Sequence, residues 1–94
     1  MKKVGIIGLG TITEYYLKGL KESNILKLVS VCDTLINSVS KKYYEEYPFY
    51  LDYKEMIIKE KLDYIIISTP PKSHFEIAKF ALENKVNVIV KELN

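Results

Sequence analysis

The residues best suited to chemistry lie near the start of the chain. Gly8-Leu9-Gly10-Thr11-Ile12-Thr13 follows the apolar run Val4–Ile7 and opens a segment in which Ile12, Tyr16 and Leu20 recur at four-residue spacing. A glycine turn between a strand and a helix is suited to holding an anion. Gly8 permits the tight turn, and Gly10 removes the Cβ that would block an approaching pyrophosphate. The N–H groups at the helix start, Thr11 and Ile12, then face the phosphates from the positive end of the helix dipole. Asp33 lies 20 residues beyond Thr13, at the end of the next apolar run, Leu26–Cys32. That is where a carboxylate is needed to accept hydrogen bonds from the ribose of a dinucleotide. The third position of such a turn usually carries Gly or Ala for close helix–strand packing. Here it is Thr13, so the helix is expected to stand slightly off or the loop to close differently. The plainer alternative makes Gly8 and Gly10 an ordinary turn and Asp33 the cap of a following helix. The sequence strand, turn, helix, strand, carboxylate favours the dinucleotide site.

Asp33 also bears on which dinucleotide is held. A carboxylate there repels a 2′-phosphate, and all 14 basic residues are lysine, so no arginine is present to clamp one. Lys41 and Lys42 are poor substitutes. NAD is expected over NADP.

The elements that must position these residues can be read from periodicity. Val4–Ile7 and Leu26–Cys32 read as buried strands, and Thr11–Glu22 as a helix between them. Ile36–Glu46 reads as a second helix with Ile36, Val39 and Tyr43 on one face. Pro48 ends it, and Phe49–Leu51 makes a short strand. Asp52-Tyr53-Lys54-Glu55 has the spacing of a capping box and opens a helix to about Lys59. Asp63–Ser68 is a β-type run broken by Thr69-Pro70-Pro71. Ser73-His74-Phe75-Glu76 is a second capping box, opening a helix to about Asn84, and Val86–Val90 is the last strand. The order β-α-β-α-(β)-α-β-α-β, with continuous Val/Ile strands, predicts a doubly wound parallel sheet of Rossmann type, an α/β three-layer sandwich. All 94 residues form one domain, without a linker or an internal repeat.

The run Asp63-Tyr64-Ile65-Ile66-Ile67-Ser68-Thr69-Pro70-Pro71-Lys72-Ser73-His74 carries a second constellation. Together with Val4–Thr13, Ser30-Val31-Cys32-Asp33 and Ala81-Leu82-Glu83, it resembles the Gfo/Idh/MocA oxidoreductases, the family of glucose–fructose oxidoreductase and inositol dehydrogenase. The resemblance covers essentially the whole chain and implies the family's N-terminal NAD(P)-binding domain. It implies that Ser68, Thr69, Pro70 and Pro71 pass along the cofactor towards the nicotinamide, and that His74, opening the next helix, lies on the cofactor side. Two prolines keep that strand end extended and rigid. A half-exposed first helical residue is the plainer reading of His74. No orienting carboxylate can be assigned to it, so it is not given a general acid or base role.

The family follows its last strand with Glu-Lys-Pro, the glutamate beside the nicotinamide ribose and the lysine at the substrate. Here Lys91, Glu92 and Leu93 occupy those positions. A one-residue shift turns a strand side chain to the opposite face. Lys91 and Glu92 are therefore the catalytic candidates only if the strand end slips or bulges, and otherwise are solvated residues at an edge. The family's second domain, which builds the substrate pocket, is expected to be absent from this chain. The resemblance thus implies part of an enzyme moving hydride between nicotinamide and a sugar, cyclitol or related alcohol. A stand-alone, non-catalytic NAD-binding or interaction module is the alternative, and a nucleotide-free structural module is a third.

Composition bounds these readings. Apolar residues at 48% and charged residues at 28% are those of a globular domain. A net charge of +2 argues against a dedicated nucleic-acid binder. No apolar run approaches the ~20 residues of a membrane span, and no metal ligand set is evident. One cysteine, Cys32, excludes an internal disulfide and fits a reducing cytoplasm. An exposed final strand would favour a homo-oligomer.

Overall fold

Short β-branched segments build a parallel sheet because both of their faces are covered. In the computed structural model these strands are β1 (Lys2–Ile7), β2 (Leu26–Cys32), β3 (Phe49–Tyr50), β4 (Tyr64–Ile67) and β5 (Asn87–Val90), in the spatial order β3-β2-β1-β4-β5. Every neighbouring pair is parallel. Among the described residues three helices, α1 (Thr13–Glu22), α2 (Tyr53–Glu60) and α3 (His74–Glu83), provide crossovers. The structure describes residues 1–10, 13–34 and 45–90. The helix expected over Ile36–Glu46 lies almost wholly outside those residues, and Glu45 and Glu46 form a turn.

The alternation of side chains divides the core into two layers. Val4, Ile6 and Ile66 face α1, packing with Leu17 and Leu20. Ile7, Ile65 and Ile67 face the other way, onto Met56, Ile57, Ile77 and Ala81 of α2 and α3. The period of two on the strands and about 3.6 on the helices makes this division possible. A shift in register after Val4, which pairs with Leu28 while Gly5 pairs with Ser30, inserts Val29 as an extra residue in β2. The three-layer, doubly wound architecture is thus the one that periodicity predicts. Its strand order reverses at β1, which places a crevice at the carboxyl ends of the strands. No helix among the described residues is long and apolar enough to cross a membrane.

Local details differ from expectation for identifiable reasons. Of the stripe expected through Ile12, Tyr16 and Leu20, Leu20 is buried, Tyr16 packs at the margin and Ile12 lies outside the described residues; Thr13 and Leu17 complete the buried face of α1. Asp52 does cap α2, its carboxylate accepting from the Lys54 N–H at 2.9 Å. Glu55 does not complete the box, because Lys59 one turn ahead captures its carboxylate at 2.8 Å. The second box is not formed at all. Ser73 has helical backbone angles and gives no side-chain cap to α3. It ends a single 3-10 turn, Pro71–Ser73, that the two prolines introduce.

Candidate functional site

The glycine turn is shaped by what surrounds it. β1 stops at Ile7, and Gly8 takes a φ of +96°. A Cβ at Gly8 would stand 2.9 Å from the Ser68 carbonyl carbon and 2.9 Å from the Thr69 nitrogen. Neither backbone atom can give way cheaply, so glycine is fixed here both by its angle and by close approach. The turn is tied to its neighbours on both sides. The Gly8 N–H donates to Cys32 O at 2.8 Å, and the Ser68 N–H donates to Ile7 O at 2.9 Å. The Ser68 hydroxyl donates to Gly8 O.

Asp33 is placed across this turn by β2, and one of its oxygens accepts from the Leu9 N–H at 3.0 Å. Its own N–H donates to Tyr50 O at 3.1 Å. Asp33 therefore holds the shape of the turn in addition to any ligand role. Gly10 contrasts with Gly8. Its chain neighbours aside, no atom of the described residues lies within 4 Å of where its Cβ would be. Packing does not demand glycine there. Thr13 is fully buried, and its hydroxyl has no partner among the described residues, so α1 starts tight against the sheet rather than standing off.

These elements enclose a cleft of ≈ 440 Å³ at the carboxyl ends of β1, β2 and β4, within the ordinary range of small-molecule sites. Of the residues expected from sequence, Gly8, Gly10, Asp33, Ser68, Thr69 and Pro70 line it together. Pro71 and His74 do not line its wall. The His74 Nε2 is instead 2.6 Å from Thr69 O. Thr11, Ile12, Lys91 and Glu92 lie outside the described residues.

The cleft is also lined by residues that the sequence reading does not assign to it, among them Leu51, Tyr53 and Glu76. Leu51 is 56% exposed in spite of being apolar. Tyr53 follows the Asp52 cap and packs edge-on against Phe80, with ring centres 5.9 Å apart. Burial is the main cause that raises its phenol pKa, followed by the negative charges of Glu76 and Asp52. The capping-box segments that contain Tyr53 and Glu76 signal helix starts and not a cleft, because α2 and α3 meet only in the folded sheet. Cys32 also reaches the cleft, but burial, with Asp33 and Asp52 adding to it, pushes its thiol up to about 12. A thiol so protonated is a poor nucleophile at neutral pH.

Comparison with known proteins gives this geometry a family. The model of the Gfo/Idh/MocA oxidoreductase family, NAD-binding Rossmann fold, matches residues 2–91. No curated protein matches the chain significantly. Among solved structures, myo-inositol 2-dehydrogenase from Lactobacillus plantarum shares 30% identity, with a TM-score of 0.81 over 95% of this chain and 27% of that one. An oxidoreductase from Agrobacterium radiobacter, in complex with NAD+, L-tartaric acid and magnesium, shares 22% identity and a TM-score of 0.81, over 95% of this chain and 27% of its own. Biliverdin reductase from a Synechocystis species, in complex with biliverdin and NADP+, shares 20% identity and a TM-score of 0.83, over 97% of this chain and 29% of its own. The latter two likenesses speak for the fold alone. The chain spans between 27% and 29% of the length of these three proteins. With the family model covering nearly all of its length, the chain belongs to the Gfo/Idh/MocA oxidoreductase family and forms an NAD-binding Rossmann domain of it.

Proposed function

We propose that the cleft binds NAD, and that the chain supplies the cofactor grip of an oxidoreductase acting on a sugar, cyclitol or related alcohol. The observation that carries this reading is Gly10. Its Cβ position opens on free space among the described residues, beside a glycine turn locked in place on every other side. Glycine at a position where packing would accept alanine is explained by a ligand that needs the backbone itself. In this reading the pyrophosphate lies against Gly10, Thr11 and Ile12. The adenosine ribose meets Asp33, and Ser68, Thr69 and Pro70 run beside the cofactor towards its nicotinamide. When bound, the nicotinamide accepts or returns a hydride. The chain's own residues bind and orient it.

Two carboxylates line the cleft, Asp33 and Glu76, and no lysine does among the described residues. That charge supports NAD over NADP, since a 2′-phosphate would bring two further negative charges to an acidic rim. The 30% identity to an inositol dehydrogenase supports a polyol substrate. The order Lys91-Glu92-Leu93, where the family carries Glu-Lys-Pro, supports a second reading: an NAD-binding module without catalysis. Titration calorimetry with NAD and NADP tests the first claim. Binding of NAD at least tenfold tighter than NADP is expected. Equal affinity, or preference for NADP, would overturn the assignment of Asp33.

A further inference from the structure

The wall of the cleft formed by Ser68, Thr69 and Pro70 poses a physical problem. The last ladder hydrogen bond of β4 is the one from the Ser68 N–H to Ile7 O, at 2.9 Å. Pro70 and Pro71 then follow, and neither has an N–H to donate. Across the two prolines the backbone can be fixed only through its carbonyls, and those need donors from elsewhere. The residues immediately after the prolines provide them. The Ser73 N–H donates to Pro70 O at 3.1 Å, and the Ser73 hydroxyl donates to the same carbonyl at 2.9 Å. The Ser73 and Thr69 hydroxyls are hydrogen-bonded at 2.8 Å. The Thr69 carbonyl meets the His74 ring at 2.6 Å. A carbonyl only accepts, so the proton is on Nε2.

We propose that His74 is a positioning residue for the dinucleotide cleft, acting through the Thr69 carbonyl. It does not line the cleft, whereas Thr69 and Pro70, on either side of the bonded peptide, do. The ring orients the peptide between Thr69 and Pro70, and with it the wall along which the cofactor is read to lie. This rests on the NAD-binding reading above and replaces direct contact by His74 with an indirect role. The Nε2–H donor is present in both the neutral and the charged imidazole.

The test compares wild type with His74→Phe, which keeps a ring of similar size without a donor, and His74→Gln, which keeps an N–H donor at the end of the side chain. Calorimetry with NAD should show about tenfold weaker binding for His74→Phe and a loss within about threefold for His74→Gln, both melting close to wild type. Equal affinity in His74→Phe and wild type would overturn the proposal. Equal weakening in both variants would also overturn it, in favour of the ring touching the ligand. Amide hydrogen exchange on the unliganded protein separates this idea from the functional reading. His74→Phe should speed exchange of the Ser68 and Ser73 amides about tenfold, and His74→Gln should not. Unchanged exchange in His74→Phe overturns the clasp whether or not NAD binds. Wild type that shows the clasp by exchange yet binds no NAD refutes the proposed ligand and the cleft role of His74 together.

Discussion

Gly8 and Gly10 belong to one motif yet should respond to alanine in opposite ways. At Gly8 an alanine would have to hold a φ of +96°, and a left-handed conformation costs an L-residue about 1–2 kcal/mol. Its Cβ would also meet two backbone atoms and the Thr69 methyl, all at 2.9 Å. Overpacking of that kind adds about 1–3 kcal/mol. Together the two effects give roughly 2–5 kcal/mol, a large part of a small domain's stability. At about 4–8 °C per kcal/mol for a domain of this size, Gly8→Ala should melt at least ~8 °C below wild type. Gly10 has no left-handed angle and no neighbour within 4 Å among the described residues. Gly10→Ala should melt within a few degrees of wild type, helped slightly by the smaller entropy of its unfolded chain. Its affinity for NAD should nevertheless fall at least about tenfold, because the methyl group enters the ligand's space. Thermal melts followed by circular dichroism, with calorimetry on the folded variants, measure both quantities. Gly8→Ala melting with wild type would refute the packing argument. Gly10→Ala binding NAD as wild type does would refute the reading of the motif.

Asp33 carries two roles that substitution separates. Asp33→Ala should lose the bond from the Leu9 N–H, worth up to about 1.5–3 kcal/mol for a charged acceptor, and should weaken NAD as well. Asp33→Asn keeps an oxygen acceptor, so it should melt near wild type while the NAD/NADP affinity ratio drops at least about tenfold. Alkaline stability follows from protons that the fold retains. Cys32 moves from an ordinary 9.0 to about 12 by burial, then by Asp33 and Asp52. Tyr50 moves from 10.0 to about 12, chiefly through its hydrogen bond to Glu60. In both cases the unfolded chain releases its proton first as pH rises. Stability should therefore be constant up to about pH 9 and fall between pH 9 and 12, by up to about 1.4 kcal/mol per pH unit for the buried thiol and by much less for Tyr50, whose bond to Glu60 is screened by solvent. Urea melts across that range measure the slope. Cys32→Ala should flatten it, and an unchanged slope in that variant would contradict the assignment to the thiol.

What could be read from the sequence, and what could not, divides along the range of the interactions involved. The strands were legible because burial on two faces forces continuous apolar runs such as Tyr64–Ile67, and the glycine turn because Gly8 answers to a backbone angle. The capping boxes were legible only in part. Glu55 had a competing partner in Lys59, and Ser73 was drawn to Pro70 and Thr69, choices set by energies that motif spacing does not contain. Leu51, Tyr53 and Glu76 come to the cleft from separate elements, so no local pattern identified them. The dual role of Asp33 was hidden for the same reason: Leu9 is 24 residues away in sequence and 3.0 Å away in the fold. His74 was read as a cofactor-side residue, and its hydrogen-bond partner in the fold is the Thr69 carbonyl, which leaves no trace in side-chain identity.

The central claim is that the cleft at the ends of β1, β2 and β4 holds NAD against Gly10. Its most direct test is calorimetric titration of NAD into the wild-type protein and into Gly10→Val, with both proteins shown to be folded by circular dichroism. Saturable heat at one site per chain in the wild type, abolished in Gly10→Val, is the predicted result. Folded wild type that takes up no NAD, or a valine variant that binds it equally well, would contradict the account.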